Sequence, residues 1–373
     1  MTNRIKDARL QHGWSQTQLI TELTKAGARK GTKLPSRETL KSRVSRWENG
    51  RAVPDDFYRS LLREVLGRDD VELGFVDAGI TTRLGAEDEL KNRLSLERVP
   101  DPELLSLLAG QTEAIRRMDR QYGAGQLLEQ MRGHVAHLED LVHFAAFDAV
   151  RAAYARLLAD AAALAAWQAL DLGGLQQSYR LYETANRAAS AAGDRELHAF
   201  VRMEMAHVLA DLGYLDDAAQ LAHDVWGTFK NDVGGALRCW LVSAVGEMLA
   251  HAGKATEARS ALALAERLSP ALDGDRPTYL VFNDVHLHRW TGHSLAMMGD
   301  VAADSLLRQA RSDMDKTFTR AAVSLGVDLA QCALLTGDRE RADIELRDAE
   351  ASAHKIGSLR QLGRVATLRR EKM

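Results

Sequence analysis

The chain has 373 residues, 46% of them hydrophobic and 27% charged, proportions ordinary for a soluble globular protein with room for two or three domains. Only two cysteines, Cys239 and Cys332, are present. At this size they exclude a disulfide scaffold and are expected to be small buried hydrophobes in a reducing cytoplasm. No uncharged apolar run reaches the roughly eighteen residues of a membrane span, and the start has no apolar signal core, so a cytoplasmic protein without membrane contact is expected.

Six prolines, long tracts rich in alanine and leucine, and the lack of alternating Val, Ile and Thr runs predict an all-α fold. In chain order, Ile5, Ala8 and Leu10 start a first helix that Gly13 ends. Ser15 caps a second, carried by Leu19, Ile20 and Leu23 and closed by Lys25-Ala26-Gly27. A basic stretch from Ala28 to Leu34 follows. Ser36 caps a third helix, with Leu40, Val44 and Trp47 as its buried stripe and Asn49-Gly50 as its stop. Arg43 and Arg46, three residues apart, give this helix a cationic face. Pro54-Asp55-Asp56 opens a fourth, with Phe57, Leu61, Leu62, Val65 and Leu66 as apolar positions.

The charge is unevenly spread. Residues 1–51 hold twelve Lys and Arg against four Asp and Glu, a net of +8, which leaves −11 for the rest of a chain whose total is −3. A basic head on an acidic body places a polyanion at the head. Ala8-Arg9, Trp14-Ser15-Gln16 with Leu19, and Val44-Ser45-Arg46-Trp47-Glu48-Asn49-Gly50 followed by Pro54 give the first seventy or so residues their family character. They resemble the helix-turn-helix domain of Cro-like (xenobiotic response element) repressors. The resemblance implies double-stranded DNA as partner, with Gln16 on a phosphate and Lys41, Ser42 and Arg46 facing base edges in the major groove. Arg43, Asn49 and Arg51 complete the DNA-facing set, and Arg9 is implied to pair with Glu48, bracing the third helix. In one respect the chain departs from the family: the turn before the third helix, Gly27 to Pro35, is longer than three or four residues. Its Arg29, Lys30 and Lys33 are expected to add phosphate contacts.

Residues 71–100 read as a linker, with a marginal helix over 87–96. From Pro100-Asp101-Pro102 onward, helices are expected over 102–121, 125–143 and 147–171, broken at Gly123-Ala124-Gly125. A glycine then recurs at Gly173, Gly213, Gly253, Gly299 and Gly337, at spacings of 40, 40, 46 and 38. Alanines follow at fixed offsets: Ala218, Ala258 and Ala342 at five, and Ala185, Ala265 and Ala349 at twelve. Val225 takes the twelve position in the second unit, and Ala303 and Ala310 fit the fourth with a one-residue shift. Gly lets the chain leave a helix, and small residues let two helices pack closely. The pattern resembles degenerate tetratricopeptide repeats, so residues 101–373 are expected to form an α-solenoid of helical hairpins serving as sensor and dimerisation domain. An irregular α-bundle is the alternative. Six residues before each glycine stand Trp167, His207, Glu247, His293 and Gln331. The resemblance implies that this position faces the concave groove, where Arg289 is also placed, and such a line of groups suits an extended peptide.

His286, Trp290 and His293 share a helix face, but no Cys or carboxylate lies at ligand spacing on it, so no metal is expected there. No nucleophile triad, phosphate-binding glycine loop or acid pair is evident, so neither an enzyme nor a cofactor is expected. As a whole the chain is similar to peptide-pheromone-sensing regulators of Gram-positive bacteria, in an alanine- and arginine-rich actinomycete style. That similarity implies a homodimer whose two heads read half-sites about one helical turn apart, controlled by a peptide or small-molecule ligand. The alternative is a repeat protein that serves as an interaction scaffold, or a regulator controlled by a protein partner.

Overall fold

The structure is a computed structural model that describes residues 4–30, 32, 34–70, 72–75, 99–125, 127–274 and 277–371. Lys33, the expected helix over 87–96 and most of the expected linker lie outside them. The chain divides into two compact units, Met1–Leu96 and Glu97–Met373. The described residues are helical, with no strand among them.

In the first unit, α1 spans Ile5–Gln11, α2 Gln16–Arg29, α3 Arg37–Glu48 and α4 Asp56–Leu66. Ser15 and Gln18 form a reciprocal capping box at α2, and Ser36 and Asp55 cap α3 and α4 by accepting from Thr39 N and Tyr58 N. Three sequence expectations are corrected. Helix α2 does not close at Gly27 but runs on to Arg29, shortening the turn to residues 30–36. Gly27 is an interior helix residue, and a Cβ there would stand 2.8 Å from Leu34 Cγ, so its small size serves packing. Leu10 and Phe57, read as apolar core positions, are exposed, while Arg9 beside Leu10 is buried. The core of Ile5, Leu19, Leu23, Leu40, Val44, Leu61 and Leu62 also takes in Leu73 and Phe75, so the packed head continues past residue 70.

The second unit begins with α5 (Pro102–Tyr122) and α6 (Leu127–Phe144), followed by five hairpins. These are α7 (Asp148–Asp171) with α8 (Leu175–Ala192), α9 (Arg195–Asp211) with α10 (Leu215–Phe229), α11 (Gly235–His251) with α12 (Ala255–Leu268), α13 (Asp284–Met297) with α14 (Ala303–Asp313), and α15 (Thr319–Leu335) with α16 (Arg339–Ile356). A last helix, α17, spans Leu359–Glu371. Each recurrent glycine leaves the first helix of its hairpin at positive φ, from +71° to +86°, a conformation that costs other residues. The expected alanines are buried between the paired helices, and hairpins stack on their neighbours as an α-solenoid of tetratricopeptide-like type.

A second repeat position becomes visible in three dimensions. Seven residues before each turn glycine stand Ala166, Ala206, Gly246, Gly292 and Ala330, all buried. At Gly246 and Gly292 a Cβ would press to 2.8 Å and 2.7 Å against Leu262 and Leu307 of the partner helix. The small residue thus fixes which side of each first helix meets its hairpin partner. Among the described residues, no helix is long and apolar enough to cross a membrane.

Candidate functional site

The head presents one side of α3 to solvent. Leu40, Val44, Trp47 and Glu48 face inward, which leaves Lys41, Ser42 and Arg46 exposed on the outer side, with Arg51 exposed just beyond the helix. Among the described residues none of these four side chains makes an ion pair or a hydrogen bond. Arg37, in the first turn of α3, is exposed in the same way. The other expected positions are engaged within the head. The Arg43 guanidinium lies 5.3 Å from the Tyr58 ring centroid. Asn49 Nδ2 donates to Ser45 O at 2.7 Å, so its side chain closes its own helix end. Arg29 pairs with Glu64 at 2.9 Å, and Lys30 reaches Ser60 Oγ at 2.8 Å and Glu64 at 3.3 Å. The two cations share the one Glu64 carboxylate, so a net positive charge remains between them.

Beneath α3, Arg9 donates through Nε and Nη2 to the two Glu48 oxygens at 2.6 Å and 3.1 Å, and through Nη1 to Trp14 O at 2.6 Å. Gln16 Nε2 donates to Glu48 at 2.7 Å. Gln16 is thus half-buried, with one amide hydrogen committed to the brace that holds α3.

In the repeat unit, Trp167, His207, Glu247, His293 and Gln331, one from each hairpin, line a single cavity of about 1060 Å³ together with Arg289. Their common place follows from the repeat: each stands one residue after the small position that faces the hairpin partner, so it turns to the inner side. Aromatic rings form part of the wall. Trp167 meets His207 edge-on, centroids 6.2 Å apart, His207 meets Trp290 at 5.8 Å, and Phe200 packs against Trp240 and Tyr279 at 5.1 and 4.8 Å. Gln331 Nε2 donates to Ala296 O at 3.1 Å, which leaves its carbonyl oxygen and its second amide hydrogen to offer.

The polar wall is densely charged. Arg320 pairs with Asp119 at 2.7 Å and Asp171 at 3.1 Å, and Arg360 pairs with Asp211 at 2.6 Å. Arg289 differs from them in making no ion pair among the described residues; its Nε, like that of Arg320, is buried without a hydrogen bond, and its guanidinium lies 5.7 Å from the Trp290 ring centroid. Burial lowers its pKa against the opposing pull of Asp328 and Glu247. Glu247 is buried, which alone would raise its pKa, yet His207, His293 and His251 around it hold the carboxyl well below the usual range. Burial works against a charge on His207 too, but Glu247 outweighs it and raises the imidazole pKa.

His251, which sequence reasoning did not single out, is brought beside Glu247 one turn earlier on α11 and His293 on α13. Donors within α13 alone make no metal-ligand set, and the preceding hairpin supplies two more, Glu247 and His251. His286 is buried beside the Phe318 ring at 5.0 Å and joins no such cluster.

No protein-family model matches the chain, and no curated protein matches it. Among solved structures, a Rap protein complexed with competence and sporulation factor is similar at 14% identity, over 70% of this chain and 80% of that one, with a TM-score of 0.45. Bacillus thuringiensis PlcR in complex with the peptide PapR7 and DNA is similar at 13% identity, over 82% and 91%, with a TM-score of 0.40. BtubC from P. vanneervenii is similar at 16% identity, over 61% and 91%, also with a TM-score of 0.40.

Proposed function

We propose that the chain is a one-component transcription regulator whose head binds double-stranded DNA and whose repeats bind a short peptide. The observation that carries the reading is the convergence of five repeat-equivalent side chains on one cavity of about 1060 Å³, in a chain whose head offers an exposed cationic helix face. That volume lies at the upper end for small-molecule sites, and its mix of aromatic surface with unpaired donors suits a peptide's side chains and backbone. Arg289, an inner-wall cation without an ion-pair partner, suits a ligand carboxylate. On the head, Arg46 is the base-reading candidate, since a guanidinium fork matches guanine O6 and N7, while Lys41, Arg37 and Arg51 suit phosphates. Homodimerisation through the repeat unit would set two heads on two half-sites.

The test is duplex selection from a random pool with the full chain, followed by anisotropy titrations at several salt concentrations. A specific site is expected, with log K falling against log salt at about −0.9 per phosphate neutralised. Absence of any duplex binding at low salt would remove the regulator reading and leave a repeat scaffold.

A further inference from the structure

We propose that Glu247, His251 and His293 form a binding site for one divalent transition-metal ion of the zinc class, set in the wall of the repeat cavity. Glu247 and His251 are four residues apart on α11 and share a face. His293 occupies on α13 the repeat position that Glu247 occupies on α11. One ligand atom from each residue lies within 4.8 Å of the others. Glu247 Oε1 stands 3.7 Å from His293 Nε2 and 4.0 Å from His251 Nε2. These separations are too long for hydrogen bonds. Donors about 2.0–2.1 Å from a tetrahedral zinc ion stand roughly 3.3 Å apart, so the two Glu247 separations would have to close by about 0.4 and 0.7 Å, within the reach of side-chain rotation.

The surroundings favour a cation over a plain hydrogen-bonded cluster. His293 Nδ1 is 2.8 Å from Asp328 Oδ1. Asp328 is fully buried and also accepts from Arg364 at 2.5 Å. That contact has Nδ1 donating to Asp328 and places Nε2 on the Glu247 side, the carboxylate–histidine arrangement found behind metal-bound imidazoles. At 3.7 Å a proton on Nε2 makes no hydrogen bond to that carboxylate, whereas a metal ion would bridge the gap between them. Two imidazoles and one carboxylate suit zinc-class ions, whereas calcium and magnesium prefer all-oxygen sets. All three residues line the cavity, so with three protein donors the fourth position opens toward it and is available to water or to a carboxylate of a bound ligand. Metal binding here stands whether or not the head binds DNA.

The full chain, stripped with chelator, is titrated with Zn²⁺ by calorimetry and with Co²⁺ by visible absorption. One ion per chain is expected, with ligand-field bands of a four- or five-coordinate nitrogen and oxygen site. His251→Ala and His293→Ala should each weaken binding by at least about tenfold, whereas His288→Ala, at a residue that lies on α13 but is not one of the three clustered residues, should leave it unchanged. Melting curves of the metal-free variants report whether they fold. If either fails to fold, the Co²⁺ spectrum of the unmodified chain decides, and lack of those bands overturns the proposal. Failure to bind Zn²⁺, or folded histidine variants that bind it as tightly as the parent, overturns it equally.

Discussion

Glu48 shows at the scale of one residue how the head holds its outward-facing helix. Its carboxylate accepts from Arg9 twice and from Gln16 once, with the Arg9 and Glu48 side chains only 8% and 2% exposed. A buried pair adds little over an apolar substitute, but removing one partner strands the other's charge. Glu48→Ala should therefore cost the head about 3–5 kcal/mol, read as a lower melting midpoint; an unchanged midpoint would show that Arg9 finds water instead. On the DNA-binding reading, Arg46→Ala should relax preference at one base by about 1–3 kcal/mol, whereas Gln16→Ala should weaken all duplexes alike. A competition series on variant sites separates the two, and uniform loss at Arg46 would make it a phosphate contact. In the repeat unit, His134 is buried beside Thr112 Oγ1 at 3.1 Å. Burial, aided by the nearby His137, depresses its pKa. The folded imidazole therefore stays neutral to lower pH than the unfolded one, which titrates near about 6.5. As pH falls through that value the unfolded chain takes up the proton first, and stability drops. His134→Gln should make the melting temperature less sensitive to acidification between about pH 7 and pH 5; identical slopes for the two proteins would refute this.

The hairpin elements were legible in the sequence where a single residue type meets a strict backbone demand. The turn glycines are the case: left-handed φ recurs at each, so five weak matches locate five hairpins. Gly213, at φ +86°, has open space where a Cβ would go, so conformation alone penalises a substitution. Gly213→Ala should cost about 1 kcal/mol, the left-handed penalty of roughly 1–2 kcal/mol being partly offset by a less flexible unfolded chain. Chemical denaturation checks it through the midpoint at constant slope, and a stabilised variant would mean that the turn rearranges. Gly27 misled for the complementary reason. A glycine after Lys25-Ala26 reads as a helix stop, but here it makes room for Leu34, a contact between segments that a local pattern does not carry. The same limit hid His251. Spacing within α13 shows His286 and His293, but not that α11 delivers Glu247 and His251 to the same spot.

Across the whole repeat unit early and late elements are tied together by ion pairs and a buried hydrogen bond. Arg320 on α15 reaches Asp119 on α5, 201 residues earlier, and also Asp171 at the end of α7. Ser358 Oγ, just ahead of α17, donates to Asp171 at 2.6 Å across 187 residues, and Arg360 pairs with Asp211 across 149. No sequence period encodes pairings at such separations, so this closure was not legible in advance, although the hairpins that make it possible were. Asp119, Asp171, Asp211, Arg320 and Arg360 also line the cavity, so the groups that close the unit are those a ligand would meet. Arg320 is the keystone of the arrangement. Burial opposes its charge, but Asp119 and Asp171 more than restore it and raise its pKa. Arg320→Met keeps most of the side-chain length while leaving two buried carboxylates without their shared cation. The expected cost is about 3–5 kcal/mol, seen as a lower unfolding midpoint together with faster amide exchange in α5, α15 and α17 than in α9 to α12. Equal exchange throughout would mean that the ends are held by apolar packing and that the ion pairs only decorate the seam.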